Sequence, residues 1–259
     1  MTGATPRVVT LRPSQTGWGF DLDELRAAFG PRTRALLVNT PHNPTGKVFT
    51  PAELADIAAL CVEHDVICLA DEVYERLVYQ SAHLSIATLP GMRDRTITLS
   101  SLGKTFSLTG WKIGWAAASP PLTSAVRAAH QFLTFSTATP LQHGAVAALA
   151  APDAYYDALV GDYRGKRNLL ARGLHELGFD VLTPEGSYFI CAGFGAFTDE
   201  PADAFARRLV RDVGVATIPP GAFYADPALG QDYLRFAFCK QESTLQAALD
   251  RLAVLRARA

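Results

Sequence analysis

This sequence carries no excess of charge of either sign. In 259 residues, 24 Lys and Arg stand against 25 Asp and Glu, a formal net charge of −1. Nothing in that balance points to nucleic-acid phosphates, and no block of like charge marks a tail. No apolar run is long enough to span a bilayer. The opening Met1-Thr2-Gly3-Ala4-Thr5-Pro6 shows no charged start followed by an apolar core, the pattern of a secretory signal. Cysteine is sparse: Cys61, Cys68, Cys191 and Cys239 lie in apolar segments without close-pair metal spacing. They read as buried free thiols in a reducing cytosol, with a disulfide as the alternative, and no metal site is expected. Apolar residues make up 49% of the chain, enough for a sizeable core and one or two domains.

The periodicity gives an order of elements. Residues 7–11 read as a strand. Residues 21–29 read as a helix capped by Asp21 and stopped by Gly30. Residues 34–39 form a buried strand that runs into a turn-rich loop, Thr40-Pro41-His42-Asn43-Pro44-Thr45-Gly46. Thr50, Pro51 and Glu53 make a capping box for a helix to about His64. A second buried strand covers residues 66–70 and ends at Asp71-Glu72; a third covers 96–99. Strand, helix, strand at short spacing is the grammar of an α/β fold with a mostly parallel sheet and helices on both faces. Another strand is expected over 113–118, then a helix over 120–135 with Val126, Ala129 and Leu133 on one stripe. A buried, alanine-rich helix is expected over 141–150, and a long amphipathic helix over 153–177. Beyond it, short strands over 180–182, 188–192, 215–218 and 233–238 alternate with helices over 202–212 and 243–256, an α+β pattern.

The chemistry gathers at strand ends, where open α/β sheets bind ligands. Between the strands at 96–99 and 113–118 lie Ser101, Lys104 and Lys112, with two glycines and several hydroxyls. A lysine at the end of a buried strand can be desolvated and turned into a nucleophile toward carbonyls. Hydroxyls and a second cation, here Ser101 and Lys112, suit a phosphate. The functional reading is a Schiff base between Lys104 and a phosphorylated aldehyde; the alternative is a solvated surface loop. Asp71 would hold the proton of a pyridine nitrogen through a charge-assisted hydrogen bond, or else cap a helix. Tyr74, about one helical turn on, and Asn43 would donate to a ring hydroxyl; alternatively Tyr74 is core and Asn43 a turn residue.

Together, Asn39-Thr40-Pro41-His42-Asn43-Pro44-Thr45-Gly46, Asp71-Glu72-Val73-Tyr74, the run from Ser101 through Lys104 and Lys112 to Gly114, and Arg235-Phe236-Ala237-Phe238-Cys239-Lys240 resemble the class I/II aminotransferases of fold type I. The wording of the motifs is similar to kynurenine/glutamine and methionine transaminases and to N-succinyldiaminopimelate aminotransferases. The resemblance implies pyridoxal 5'-phosphate as cofactor, held by Lys104, which also shuttles the substrate proton. It implies Asp71 at the ring nitrogen, Asn43 and Tyr74 at the ring hydroxyl, Ser101 and Lys112 at the phosphate, and Arg235 (with Asn43) at the substrate carboxylate. A planar, permanently charged guanidinium suits that last task, although an arginine in a strand can equally pair with a structural acid.

The resemblance further implies a partial large cofactor-binding domain over 1–152, a bridging helix over 153–178 and a small domain over 179–259. The expected activity is ping-pong transamination between an amino acid and a 2-oxo acid, with 2-oxoglutarate as acceptor, in a cytoplasmic enzyme that is a homodimer in its full-length form. Family members carry a substantial section before the position of Arg7, with a phosphate-binding glycine turn and a ring-stacking aromatic that find no counterpart here. Gly17-Trp18-Gly19 is out of place for that turn. The sequence is therefore expected to be an N-terminally truncated fragment, prone to aggregate and weak in cofactor binding. Competing readings are a C–S β-lyase on the same scaffold and an inactive fragment. A cofactor-binding sensor would need a DNA-binding module, and no basic helix-turn-helix pattern appears.

Overall fold

The computed structural model describes residues 3–14 and 17–258. In chain order, strands β1 (Arg12–Ser14) and β2 (Gly17–Gly19) precede helix α1 (Leu22–Ala28), β3 (Ala35–Asn39), α2 (Pro51–Glu63), β4 (Ile67–Asp71) and β5 (Thr96–Ser101). Then come α3 (Leu102–Thr105), β6 (Gly114–Ala117), α4 (Pro120–Leu133), α5 (Thr139–Leu149) and α6 (Asp153–Leu177). The chain continues with β7 (Asp180–Leu182), β8 (Phe189–Gly193), α7 (Ala202–Arg208), β9 (Tyr233–Ala237) and α8 (Glu242–Leu252). Two compact units result: one of Leu22–Pro41 and Val48–Leu159, the other of Met1–Asp21, His42–Lys47 and Val160–Ala259.

The unit around β3 to β6 holds a four-stranded sheet in the order β3-β4-β5-β6, with β3, β4 and β5 parallel and β6 antiparallel. Asn39 lies opposite Asp71, Asp71 opposite Leu99, and Ser101 opposite Gly114. That register brings the ends of β3, β4 and β5 out at one edge of the sheet. Helix α2 starts as its sequence dictates: Thr50 Oγ1 accepts from Glu53 N at 3.2 Å, and Glu53 Oε2 accepts from Thr50 N at 2.8 Å. Leu54, Ile57, Ala58 and Cys61 of α2 are buried at helical spacing. Each large side chain among them contributes roughly 1.5–3 kcal/mol by leaving water.

Helices α4 and α5 differ from expectation. Helix α4 buries no residue, with Leu133 of the expected stripe 71% exposed, and α5, expected to be buried, buries only Ala145. Apolar content alone does not bury a helix; a second apolar layer must cover it, and among the described residues none covers this face. What α5 does cover is the turn after β5: Ala145 packs with Leu102 and Ile113, joined by Phe106, Leu141 and Trp115. Gly144 is needed there, because a Cβ would come within 2.7 Å of the Trp111 ring. The outer strand β3 likewise leaves Leu37 66% exposed.

The other unit holds an antiparallel sheet in the order β7-β8-β9. Strand β8 is buried along its whole length. On α6, Tyr163, Arg167, Leu170 and Leu174 are the buried face. Gly173 of α6 admits Leu249 of α8, whose Cδ1 lies 2.4 Å from where a Cβ would stand. Two expected strands are not formed. Residues 7–11 are not part of a strand, and pairing begins one residue later, where Arg12–Ser14 meets Gly17–Gly19. Residues 215–218 contribute only a bridge between Ile218 and Arg235. In both, β-branched composition suggests extension, but a strand exists only where a neighbouring edge accepts its hydrogen bonds. The four cysteines are free thiols, Cys239 only half-buried.

Candidate active site

The lysine-bearing turn is a strand end converted at once into a helix start. Strand β5 runs to Ser101, whose Oγ accepts from Gly103 N at 3.2 Å and so caps α3. Oγ keeps its own hydrogen to donate. Lys104 sits in the last turn of α3, with Leu102 and Thr105 buried on either side of it. The turn is held from α6 by Tyr155, whose hydroxyl donates to Thr105 O at 2.9 Å and whose ring stacks on Phe106.

Three of the expected residues come together around this turn. Lys104 Nζ lies 5.5 Å from the centroid of the Tyr74 ring, and Tyr74 is 1% exposed. Asp71, half-buried at the end of β4, has its carboxyl raised above the ordinary carboxylate range, chiefly by burial; the Val73 N–H and Lys104 oppose that shift, and Glu72 adds to it. No helix starts at Asp71. Its Oδ1 instead accepts from Val73 N at 3.3 Å in a local turn, and Tyr74 lies in that turn rather than on a helix. A cavity of about 320 Å³ is lined by Ser101, Gly103, Lys104, Thr109, Lys112 and Gly114. Lys112 reaches this wall from a left-handed backbone conformation, φ 56°.

Asn43 and Arg235 belong to the other unit and meet within it. Arg235 Nη1 donates to Asn43 Oδ1 at 2.8 Å. The Asn43 amide oxygen is the acceptor of this bond, and Nδ2 is the amide's donor atom. Arg235 is set by its strand: its N and O exchange hydrogen bonds with Ile218, at 2.8 and 3.1 Å, and it pairs across β8 with Cys191. Its guanidinium lies 4.1 Å from the Phe189 ring centroid and 4.9 Å from that of Phe223. Two aromatic rings around a cation fix the plane of the fork. Burial pushes the neighbouring Cys191 thiol up to about 12, against the pull of Arg235. Close by in the chain, His42 Nδ1 lies 2.8 Å from Thr45 Oγ1, and burial with Lys47 beside it lowers its pKa to about 4.

Sequence reading passed over three features. Phe189 and Phe223 look like ordinary core and loop residues until the fold brings both to Arg235. Tyr155 lies fifty residues beyond the carbonyl it binds. His83 pairs with Glu72 next to Asp71, a contact no local spacing announces.

The donor set on the Lys104 side fits a pyridoxal phosphate. It offers one amine, one buried-side carboxyl, one phenol, and a cavity edged by a hydroxyl and a second cation. A bare Gly103 keeps that edge open, since a Cβ there would come within 3.3 Å of Ser101 Oγ. The volume is at the lower end of the range for small-ligand sites. Among the described residues no three His, Cys, Asp or Glu side chains gather as a metal site.

The family model for aminotransferase class I and II matches residues 1–252. A probable N-succinyldiaminopimelate aminotransferase of Mycobacterium tuberculosis is 44% identical over 100% of this chain and 67% of its own length. A kynurenine–oxoglutarate transaminase of Dictyostelium discoideum is 37% identical over 99% of this chain and 67% of its own. Among solved structures, the N-succinyldiaminopimelate aminotransferase of Mycobacterium tuberculosis superposes with a TM-score of 0.90 over 95% of this chain and 64% of that one, at 44% identity. The methionine aminotransferase YbdL of Escherichia coli gives 0.88 over 93% and 63%, at 37% identity. The chain thus spans about two thirds of the length of these relatives. Likeness of this extent, in sequence and in fold together, makes the chain a member of the class I and II aminotransferases, a family of pyridoxal 5'-phosphate-dependent transaminases.

Proposed function

We propose that this chain serves transamination between an amino acid and a 2-oxo acid, with Lys104 as its catalytic residue. The observation that carries the reading is the placing of Lys104 beside both Tyr74 and the buried-side carboxyl of Asp71, on the wall of a cavity shared with Ser101 and Lys112. Bound pyridoxal 5'-phosphate supplies an electron sink that lets a substrate Cα lose its proton.

Lys104 Nζ would hold the cofactor through its aldehyde and is the amine placed to carry the proton from substrate Cα. Asp71 Oδ atoms would hold the proton on the ring nitrogen and so keep the ring cationic. Tyr74 Oη would donate to the ring oxygen, a task the resemblance also gives to Asn43. Ser101 Oγ and Lys112 Nζ, both on the cavity wall, would hold its phosphate oxygens. Arg235 orients the substrate through its α-carboxylate, its fork already aligned by Asn43, Phe189 and Phe223. The acceptor in this reading is 2-oxoglutarate, as the Dictyostelium relative's name has it for that protein. A cytoplasmic homodimer belongs to the same reading and rests on the resemblance.

The test is a half-reaction. The protein is loaded with pyridoxal phosphate and given an aromatic or long-chain amino acid without any 2-oxo acid. Stoichiometric release of the matching 2-oxo acid, with no free ammonia, is expected. Pyruvate and ammonia from a cysteine conjugate would instead identify a C–S lyase, and no turnover of either kind would count against both.

A further inference from the structure

Directly after Asp71 the chain enters a group of buried polar side chains that the chemistry above does not use. Glu72 is 4% exposed; its Oε1 accepts from Ser85 Oγ at 2.8 Å, and its Oε2 lies 2.9 Å from His83 Nε2. A carboxylate only accepts, so Nε2 carries the hydrogen of that bond and Nδ1 faces away from it. Three residues on, Glu75 Oε1 accepts from Ser100 Oγ at 2.9 Å. His83 Nδ1 and Glu75 Oε2 are both buried, and neither has a protein partner. The two side chains are close enough for His83 to act electrostatically on Glu75, whose carboxyl is raised chiefly by burial. Two buried polar atoms left without partners are unfavourable until a hydrogen-bonding group reaches them. A single water has two hydrogens to give and is the usual occupant of such a gap.

We propose that His83 is a positioning residue: one buried water joins its Nδ1 to Glu75 Oε2, and closes a chain Ser85–Glu72–His83–water–Glu75–Ser100. The ends of this chain are set by the site. Glu72 follows Asp71, Glu75 follows Tyr74, and Ser100 precedes Ser101. Pairing with β5 carries the chain as far as Glu72, whose N donates to Leu99 O at 2.9 Å. Beyond that residue, the Glu75–Ser100 bond and the His83 bridge hold Tyr74 at a set distance from Ser101, while Asp71 is set by its own strand. The inference rests on the cofactor reading above and adds what keeps the two sides of that site in register.

The experiment compares wild type, His83→Ala and Ser100→Ala, which cut the chain in the middle and at its far end. Pyridoxal phosphate affinity is measured by titration, the visible spectrum of the bound cofactor is recorded, and thermal unfolding is followed without cofactor. Loss of one buried link is expected to weaken cofactor binding roughly tenfold. Both variants should shift the visible band in the same direction, and free imidazole should restore the band in His83→Ala. Should His83→Ala fail to fold, Ser100→Ala carries the test alone. Variants that lose thermal stability but bind cofactor with wild-type affinity and spectrum would make the network merely structural and overturn the inference. A wild-type protein that binds no cofactor would overturn the reading beneath it, a result distinguishable from the first.

Discussion

Lys104 Nζ stands over the Tyr74 ring, 5.5 Å from its centroid, although the two are thirty positions apart with a complete strand between them. The same turn that presents Tyr74 begins at Asp71, whose carboxyl is raised by burial and pulled back by Lys104. A carboxyl held above its ordinary value is a cost to the fold at neutral pH, because burial disfavours its charged form there, and the cost is relieved as pH falls and the group takes up a proton. Asp71→Asn removes that charge at constant shape. The melting temperature of the unliganded protein should stay the same or rise, while cofactor retention on dialysis falls at least tenfold. A variant that loses thermal stability and keeps its cofactor would assign Asp71 to structure.

Arg235 separates binding from chemistry. Arg235→Ala should raise KM for the amino acid roughly 10–100-fold, the loss of a charge-assisted hydrogen-bonding pair, with kcat changed much less. Arg235→Lys should recover little of this, because an ammonium neither forms the fork nor lies between the Phe189 and Phe223 rings. Equal KM values across the three proteins would place the carboxylate elsewhere.

His42 makes stability depend on pH. Its pKa is lowered to about 4 in the folded chain, so between roughly pH 6.5 and pH 4 the unfolded chain binds a proton that the folded chain does not. Stability from this group is complete above pH 6.5 and is lost as pH falls through the window, by about 1.4 kcal/mol per unit. Urea unfolding at pH 7.5 and pH 5.5 should show that loss, and His42→Asn should flatten it. Identical slopes for the two proteins would contradict the assignment.

Helix α2 is where sequence and structure agree residue by residue. Thr50 and Glu53 form both bonds of the capping box, so Thr50→Ala should lower stability by about 1 kcal/mol in urea titration. An unchanged midpoint would mean the cap is redundant.

That agreement shows what was readable. The cap of α2, the strand cores of β3, β4 and β5, and the long α6 follow from neighbours in sequence, because their causes act within a few residues. The polar residues at the strand ends were also readable, since Asp71, Ser101 and Lys104 sit where apolar runs stop. The failures share a different cause. Residues 7–11 and 215–218 are extended by composition, but their pairing depends on an edge far away in the chain. Helices α4 and α5 are apolar, yet their burial depends on a covering layer and not on themselves, so Phe132 is 87% exposed. The rings around Arg235 and the His83–Glu72 pair arise only from the tertiary fold.

The central claim is that Lys104 binds the aldehyde of pyridoxal phosphate. Borohydride reduction of the cofactor-treated protein, followed by peptide mass spectrometry, tests it directly. The account predicts one reduced cofactor adduct, on the peptide bearing Lys104, and none in Lys104→Ala. An adduct at Lys112 or another lysine, or one that persists in Lys104→Ala, would contradict it.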